Sequence, residues 1–189
     1  MRRIVFLVAL IAAALVGDNA AAAAKSWTVS KDASELEIYF TIDGKERRGF
    51  FAAYSGEARF DPDDLENAEM ILDISTGSLD AGHAFATEVV KGDDWLASDA
   101  HPEARYELIS LTPRPDGGYV AEGRLTMRGE TRVVTGELEI GLVDDLAVAK
   151  GVVTFDREQF GIGVGFTALF VDVGATIAVA FDLKATPDI

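Results

Sequence analysis

A few residues in this chain have side chains that could do chemistry, and their spacing decides what kind. His83 and His101 could act as acid and base or ligate a metal. They are well separated in sequence, each in a loop-like context, with no H-x-x-x-H or H-E-x-x-H pairing. The chain has no cysteine, so the usual zinc patterns are missing. Ser55, in "AYSGE", lacks the G-x-S-x-G elbow of an activated serine, and nothing marks a base for it. The acidic run "FDPDDLE" suggests calcium, but it has neither the ligand rhythm nor the glycine of a D-x-D-x-D-G loop. It reads as a turn closed by Pro62 followed by a short helical turn. Arg47, Arg48 and Arg128 suit a phosphate or another anionic head group, although as solvated surface charges they need no ligand at all. Paired carboxylates for glycoside chemistry depend on a separation that only the fold can set, and in so acidic a chain such pairs arise by chance.

A different pattern appears in "FDREQFGIGVG". Gly161, Gly163 and Gly165 alternate with Ile162 and Val164. In a strand this spacing leaves one bare face and one apolar face. A bare face admits a backbone, a bulky side chain or a ligand. The spacing is not G-x-G-x-x-G and no helical pattern follows, so a phosphate loop is a poor reading.

The elements that would position these residues are strands. In "ASELEIYFTI", Leu36, Ile38, Phe40 and Ile42 share one face, and Glu35, Glu37 and Thr41 the other, which is the pattern of a strand with one wet side. Met70, Leu72 and Ile74 repeat the signal, as do Val134, Leu138, Ile140 and Leu142. The longest run places Leu169, Val171, Val173, Ala175, Ile177, Val179, Phe181 and Leu183 on one face. Weaker alternation covers "ARYELISLT", "GYVAEGRLTMR" and "LAVAKGVVTF", and "WTVS" and "GEARF" add short pieces. That makes about eight or nine strands, separated by turn signals such as "DPDD", "PDGG" and "MRGE". One segment breaks the period: in "AFATEVVKGDDWL", Phe85, Val89 and Leu96 fall at helical offsets, interrupted at Gly92, and predict one or two short helices. Many antiparallel strands with one apolar face, plus a helical insertion, predict a closed up-and-down barrel or a sandwich.

Compartment and partners follow from composition. Arg2 and Arg3, the apolar stretch Ile4 to Val16 and the small residues Ala22 to Ala24 read as a signal peptide over residues 1–24. The apolar stretch is shorter than the roughly 20 residues a spanning helix needs. The formal net charge is −15, which argues against a nucleic-acid partner and favours an exported protein that stays in solution as a monomer or homodimer. No linker or internal repeat divides the rest, so one domain is expected over residues 25–189, large enough for a core without disulfides.

Five strings, "SWTVSKDASELEIYFT", "GFFAAYSGEARFDPDDLENAEMILDISTGSLDAG", "WLASDAHPEARYEL", "GRLTMRGETRVVTGELEI" and "FDREQFGIG", come in the order and spacing of the YceI-like proteins, which this chain resembles over almost all of residues 25–189. The resemblance implies an all-β, lipocalin-like, eight-stranded antiparallel β-barrel with a short helical insertion. It also implies export to the periplasm, a polyisoprenoid chain held in the lumen, and binding rather than catalysis. Where many relatives carry a His-containing basic segment before "RGRFxxFSG", this chain has "FTIDGKERRGFFAAYSG". The "WLASDAHP" version is similar to exported relatives that accompany membrane b-type cytochromes, which makes such a cytochrome a candidate partner.

An eight-stranded barrel has room for packed side chains or for one slender ligand. The candidate lumen residues are Phe40, Phe51, Tyr54, Phe60, Ile74, Phe85, Trp95, Phe155, Phe160, Leu169 and Val171, although each could equally be ordinary core. Replacing Phe40 or Phe160 with Asp is expected to abolish lipid retention. Gly161 and Gly163 would then keep the wall thin or sharply coiled beside the lumen, or form a β-bulge with no ligand nearby. The expected ligand is a polyisoprenoid or quinone-like lipid, with no other cofactor and no metal. Two rival readings stay open: an enzyme using the lumen with His83 or His101 as acid or base, and a filled barrel serving as accessory subunit of a membrane redox protein.

Overall fold

The computed structural model describes residues 25–188, so the signal peptide expected over residues 1–24 lies outside the described residues. The alternating segments form strands: β1 (Lys25–Val29), β2 (Glu35–Ile42), β3 (Lys45–Phe51), β4 (Tyr54–Phe60), β5 (Glu69–Ser75) and β6 (Leu79–Asp80). After helix α1 (Ala84–Lys91) come β7 (Glu103–Pro113), β8 (Tyr119–Met127), β9 (Glu130–Val143), β10 (Leu146–Asp156) and β11 (Thr176–Pro187). Every pairing is antiparallel. β1 pairs with both β4 and β11, which closes the wall.

These eleven strands make eight staves, because three staves are each broken once. β1 and β2 are one stave interrupted by a 3₁₀ turn at Lys31–Ala33, and β5 and β6 are another interrupted at Thr76–Ser78. β3 and β4 are separated only by Ala52 and Ala53. The register is antiparallel on both sides of each break, with Glu37 opposite Phe50 and Thr28 opposite Glu57, so the interruptions face one another across the sheet. Serine hydroxyls repair the ladder there. Ser34 donates to the Ser30 carbonyl at 2.7 Å and accepts from the Lys184 N–H at 2.9 Å. Ser78 accepts from the Ala53 N–H at 3.0 Å and donates to the Ser75 carbonyl at 2.7 Å. Local breaks of this kind let a closed sheet coil without losing its register.

At one end of the barrel lie the Asp43–Gly44 turn, α1 and the segment between β10 and β11. At the other lie both ends of the described chain. α1 is capped at its start by His83, whose Nδ1 accepts the Phe85 N–H at 3.3 Å, and it ends at Lys91 ahead of Gly92. Leu96, which its spacing assigned to the helix, belongs to the turns that follow, where it is buried.

The structure departs from two expectations. The long alternating run does not start a strand at Leu169: a 3₁₀ turn occupies Phe166–Phe170, and β11 begins at Thr176, past Gly174. The alternating glycines are not in a strand either. Asp156 caps a 3₁₀ turn at Arg157–Phe160, accepting the Glu158 N–H at 2.9 Å, and Gly161 ends it in the left-handed region at φ 66°. Turns follow, in which Ile162 is buried and Val164 exposed, so the two do not share a face.

Candidate ligand-binding lumen

The staves enclose a cavity of about 490 Å³ that runs the length of the barrel. Its lining extends from Ile42, Asp43 and Phe85 at the helical end to Arg59, Phe60 and Ala147 at the other. β2 and β11 supply much of the wall, and their inward residues Ile38, Val179 and Phe181 are only half-buried because they border space rather than packed atoms. A cavity of this size is in the range of small-molecule sites.

Its chemistry is nearly all hydrocarbon. Of the lining residues with polar side chains, Thr76 is buried and donates to the His101 carbonyl at 2.7 Å. Arg59 is held by Glu69 at 2.8 Å. The Arg157 guanidinium is committed to backbone carbonyls: Nε donates to the Gly174 carbonyl at 3.0 Å, Nη1 to those of Ile162 and Gly163 at 2.7 and 2.9 Å, and Nη2 to that of Val173 at 2.7 Å. Tyr106 stays neutral, because burial pushes its phenol up to about 12. Trp27 is buried in the wall, and its indole N–H has no acceptor among the described residues. Such a lumen can hold an apolar chain.

Most of the candidate lumen residues come together. Phe40, Phe51, Phe60, Ile74, Phe85, Trp95, Phe155 and Val171 all line the cavity. Phe85 does so from the rim, where it is 75% exposed. Three do not line it. Tyr54 sits opposite Ile74 beside the break in its stave and packs into the core cluster. Phe160, in the 3₁₀ turn after β10, is 1% exposed, stacks edge-on against Phe155 at 5.4 Å and is packed solid in the core cluster, with no face on the cavity. Leu169 is 77% exposed, because the chain at that point has not yet entered β11.

Neither histidine lines the cavity. His83 is the helix cap, and among the described residues no three of His, Cys, Asp and Glu could share a metal. The acidic run forms the expected turn, with Asp61 accepting the Asp63 N–H at 2.9 Å and Asp64 holding the Asn67 amide. Sequence reasoning passed over Trp27, Ile38, Tyr106, Val179 and Phe181 as lining residues. Period-two alternation had already put Ile38, Val179 and Phe181 on apolar faces. Arg157 carried no signal, since the four carbonyls it gathers converge only in the folded chain.

The glycines admit the helical insertion rather than a ligand. A Cβ on Gly163, at φ 64°, would lie 2.5 Å from Trp95 Cζ3, and one on Gly165 would collide with the Asp94 carboxylate. The Gly163 N–H donates to the Asp94 carbonyl at 2.7 Å.

The chain matches the family model of the YceI-like domain over residues 27–185. Among curated relatives it is similar to a UPF0312 protein of Vibrio cholerae serotype O1, 23% identical over 176 residues that cover 88% of this chain and 93% of the relative. A UPF0312 protein of Shewanella baltica is 26% identical over 165 residues, covering 82% and 86%. Among solved structures it resembles Burkholderia cenocepacia BcnA, with a TM-score of 0.77 at 24% identity over 84% of this chain and 99% of that one. It also resembles a polyisoprenoid binding domain from Saccharophagus degradans implicated in plant cell wall breakdown, with a TM-score of 0.68 at 14% identity over 87% and 99%. At these identities the structural likenesses show a shared barrel.

Proposed function

Because the chain belongs to the YceI-like family, we propose that it is an exported lipid-binding protein that holds one polyisoprenoid or quinone-like chain in its lumen, as a carrier or store. The observation that carries this reading is the long cavity walled by apolar side chains. Each methylene moved from water into such a wall contributes about 0.8 kcal/mol, so a prenyl chain gains affinity along its whole length. The polyisoprenoid binding described for the Saccharophagus degradans domain supports the same ligand class. Export to the periplasm, beside the membranes that contain such lipids, is the part of this reading supported by Arg2, Arg3 and the apolar stretch after them.

Both readings that competed with this one lose ground on the same observation. The enzyme reading gave His83 or His101 the part of acid or base in the lumen, and neither histidine lines it. A filled barrel would leave no room for the cavity.

The chain's two tryptophans, Trp27 and Trp95, both line the cavity, so their emission reports on its contents. Titrating the purified protein with geraniol, farnesol and geranylgeraniol should shift that emission to saturation at one ligand per chain. Affinity should rise with each added prenyl unit. Flat emission together with no retention of any of the three would contradict the reading.

A further inference from the structure

The pairing of β2 with β3 sorts the basic residues of "GKERRGF" by face. Lys45 lies opposite Ile42, Arg47 opposite Phe40, and Gly49 opposite Ile38. Directly opposed residues of an antiparallel pair point to the same side of the sheet. Ile42, Phe40 and Ile38 all line the cavity, as does Phe51 two positions past Gly49. Lys45 and Arg47 are therefore on the lumen side of β3, at its outermost turns. Both are exposed, so they stand at the rim.

Arg48, one position on, is on the outer face and is already engaged. It pairs with Glu37 at 3.3 Å, and Glu37 also accepts the Tyr39 hydroxyl at 2.7 Å. Among the described residues every arginine except Arg47 holds a carboxylate or a carbonyl. Among the described residues the Lys45 ammonium likewise makes no ion pair or hydrogen bond. The chain has 32 acidic residues to 17 basic ones, so a shortage of carboxylates does not explain two free cations side by side. Asp43 lines the same end of the cavity but pairs with neither. Over Lys45–Arg48, β3 pairs in the sheet with β2 alone, because β6 ends at Asp80.

We propose that Lys45 and Arg47 form an anion site at the helical mouth and take the phosphate of a prenyl phosphate whose chain lies in the lumen. Guanidinium and ammonium donors form the stronger, charge-assisted hydrogen bonds with phosphate oxygens. The site rests on the lumen reading above and adds the head group to it. A prenyl phosphate presents its charge where these cations are free and its chain where the wall is apolar.

The test compares farnesyl phosphate, farnesol and inorganic phosphate on the whole protein, read by tryptophan emission and by equilibrium dialysis. Farnesyl phosphate should bind about tenfold more tightly than farnesol, with the gap narrowing as salt is raised. The double variant Lys45→Gln, Arg47→Gln should bind both equally, and Arg48→Gln should keep the preference. Millimolar inorganic phosphate should leave farnesol binding unchanged and weaken farnesyl phosphate only slightly. Equal binding of the two prenyl compounds by the unaltered protein would overturn the head-group site and leave the lumen reading standing. So would a preference that survives in the double variant. Displacement of farnesyl phosphate by an equal concentration of inorganic phosphate would assign the site to a free anion and overturn the lipid source. Binding of neither prenyl compound would overturn the lumen reading, and the head-group site with it.

Discussion

Gly163 lies against the ring of Trp95, so close that a Cβ on it would come within 2.5 Å of Cζ3. Its N–H holds the carbonyl of Asp94 at 2.7 Å. The segment after β10 and the segment after α1 are thereby locked together across the helical end of the barrel, and Trp95 is pressed into the cavity wall. Arg128, at the turn between β8 and β9, donates to the Trp95 carbonyl from the other side.

Gly163→Ala should therefore be costly, and Gly161→Ala less so. Both glycines have positive φ, but a Cβ on Gly161 would meet nothing within 4 Å. Backbone strain alone sets the cost at Gly161, about 1–2 kcal/mol, whereas overpacking against Trp95 adds about 1–3 kcal/mol at Gly163. Urea midpoints of the two variants check the order, and equal losses would mean that the Trp95 contact carries no weight.

Arg157 is 6% exposed and serves four carbonyls. Arg157→Leu leaves them without that donor and should cost at least about 3 kcal/mol. Arg157→Lys should recover little, since one ammonium cannot span the planar fork. Thermal unfolding of both variants decides this; a stable Leu variant would show that solvent reaches the carbonyls.

Phe40 and Phe160 should part company on substitution. Phe40 lines the cavity, so Phe40→Asp should abolish retention of a prenyl chain. Phe160 is packed in the core and does not line the cavity, so Phe160→Leu should lower stability by about 1–2 kcal/mol and leave lipid capacity unchanged. Lipid extraction from each purified variant, beside its unfolding curve, separates the two roles.

Tyr106 gives a signature in alkali. Burial raises its phenol from 10.0 to about 12 in the folded chain. The unfolded chain loses this proton first. Stability from the neutral phenol is thus complete below about pH 10 and falls as pH rises towards 12. Denaturant midpoints measured from pH 9 to pH 11.5 should decline less steeply in Tyr106→Phe than in the unaltered protein. Parallel curves would assign the decline to other groups.

The barrel was legible in the sequence because period two survives wherever one face of a strand meets the lumen. Leu36, Ile38 and Phe40 show it on β2, and Ile177, Val179, Phe181 and Leu183 on β11. The pattern misled at Leu169, where apolar residues continue at the same spacing although the chain has left the sheet. It misled again at Gly161, Gly163 and Gly165, whose spacing suits a bare strand face but whose conformations are those of turns packed against a tryptophan. The face of Arg47 could have been read, since Asp43–Gly44 is a two-residue hairpin signal and fixes the register that follows. The commitment of Arg157 could not, because it depends on carbonyls brought together from two separate segments.

The central claim is that the lumen holds one long apolar chain. Native mass spectrometry of the protein purified from a cell-envelope extract, followed by organic extraction and identification of the released compound, tests it most directly. One prenyl-chain lipid per protein is the predicted result. Protein that emerges empty, and stays empty after incubation with prenyl alcohols and prenyl phosphates, would contradict the account.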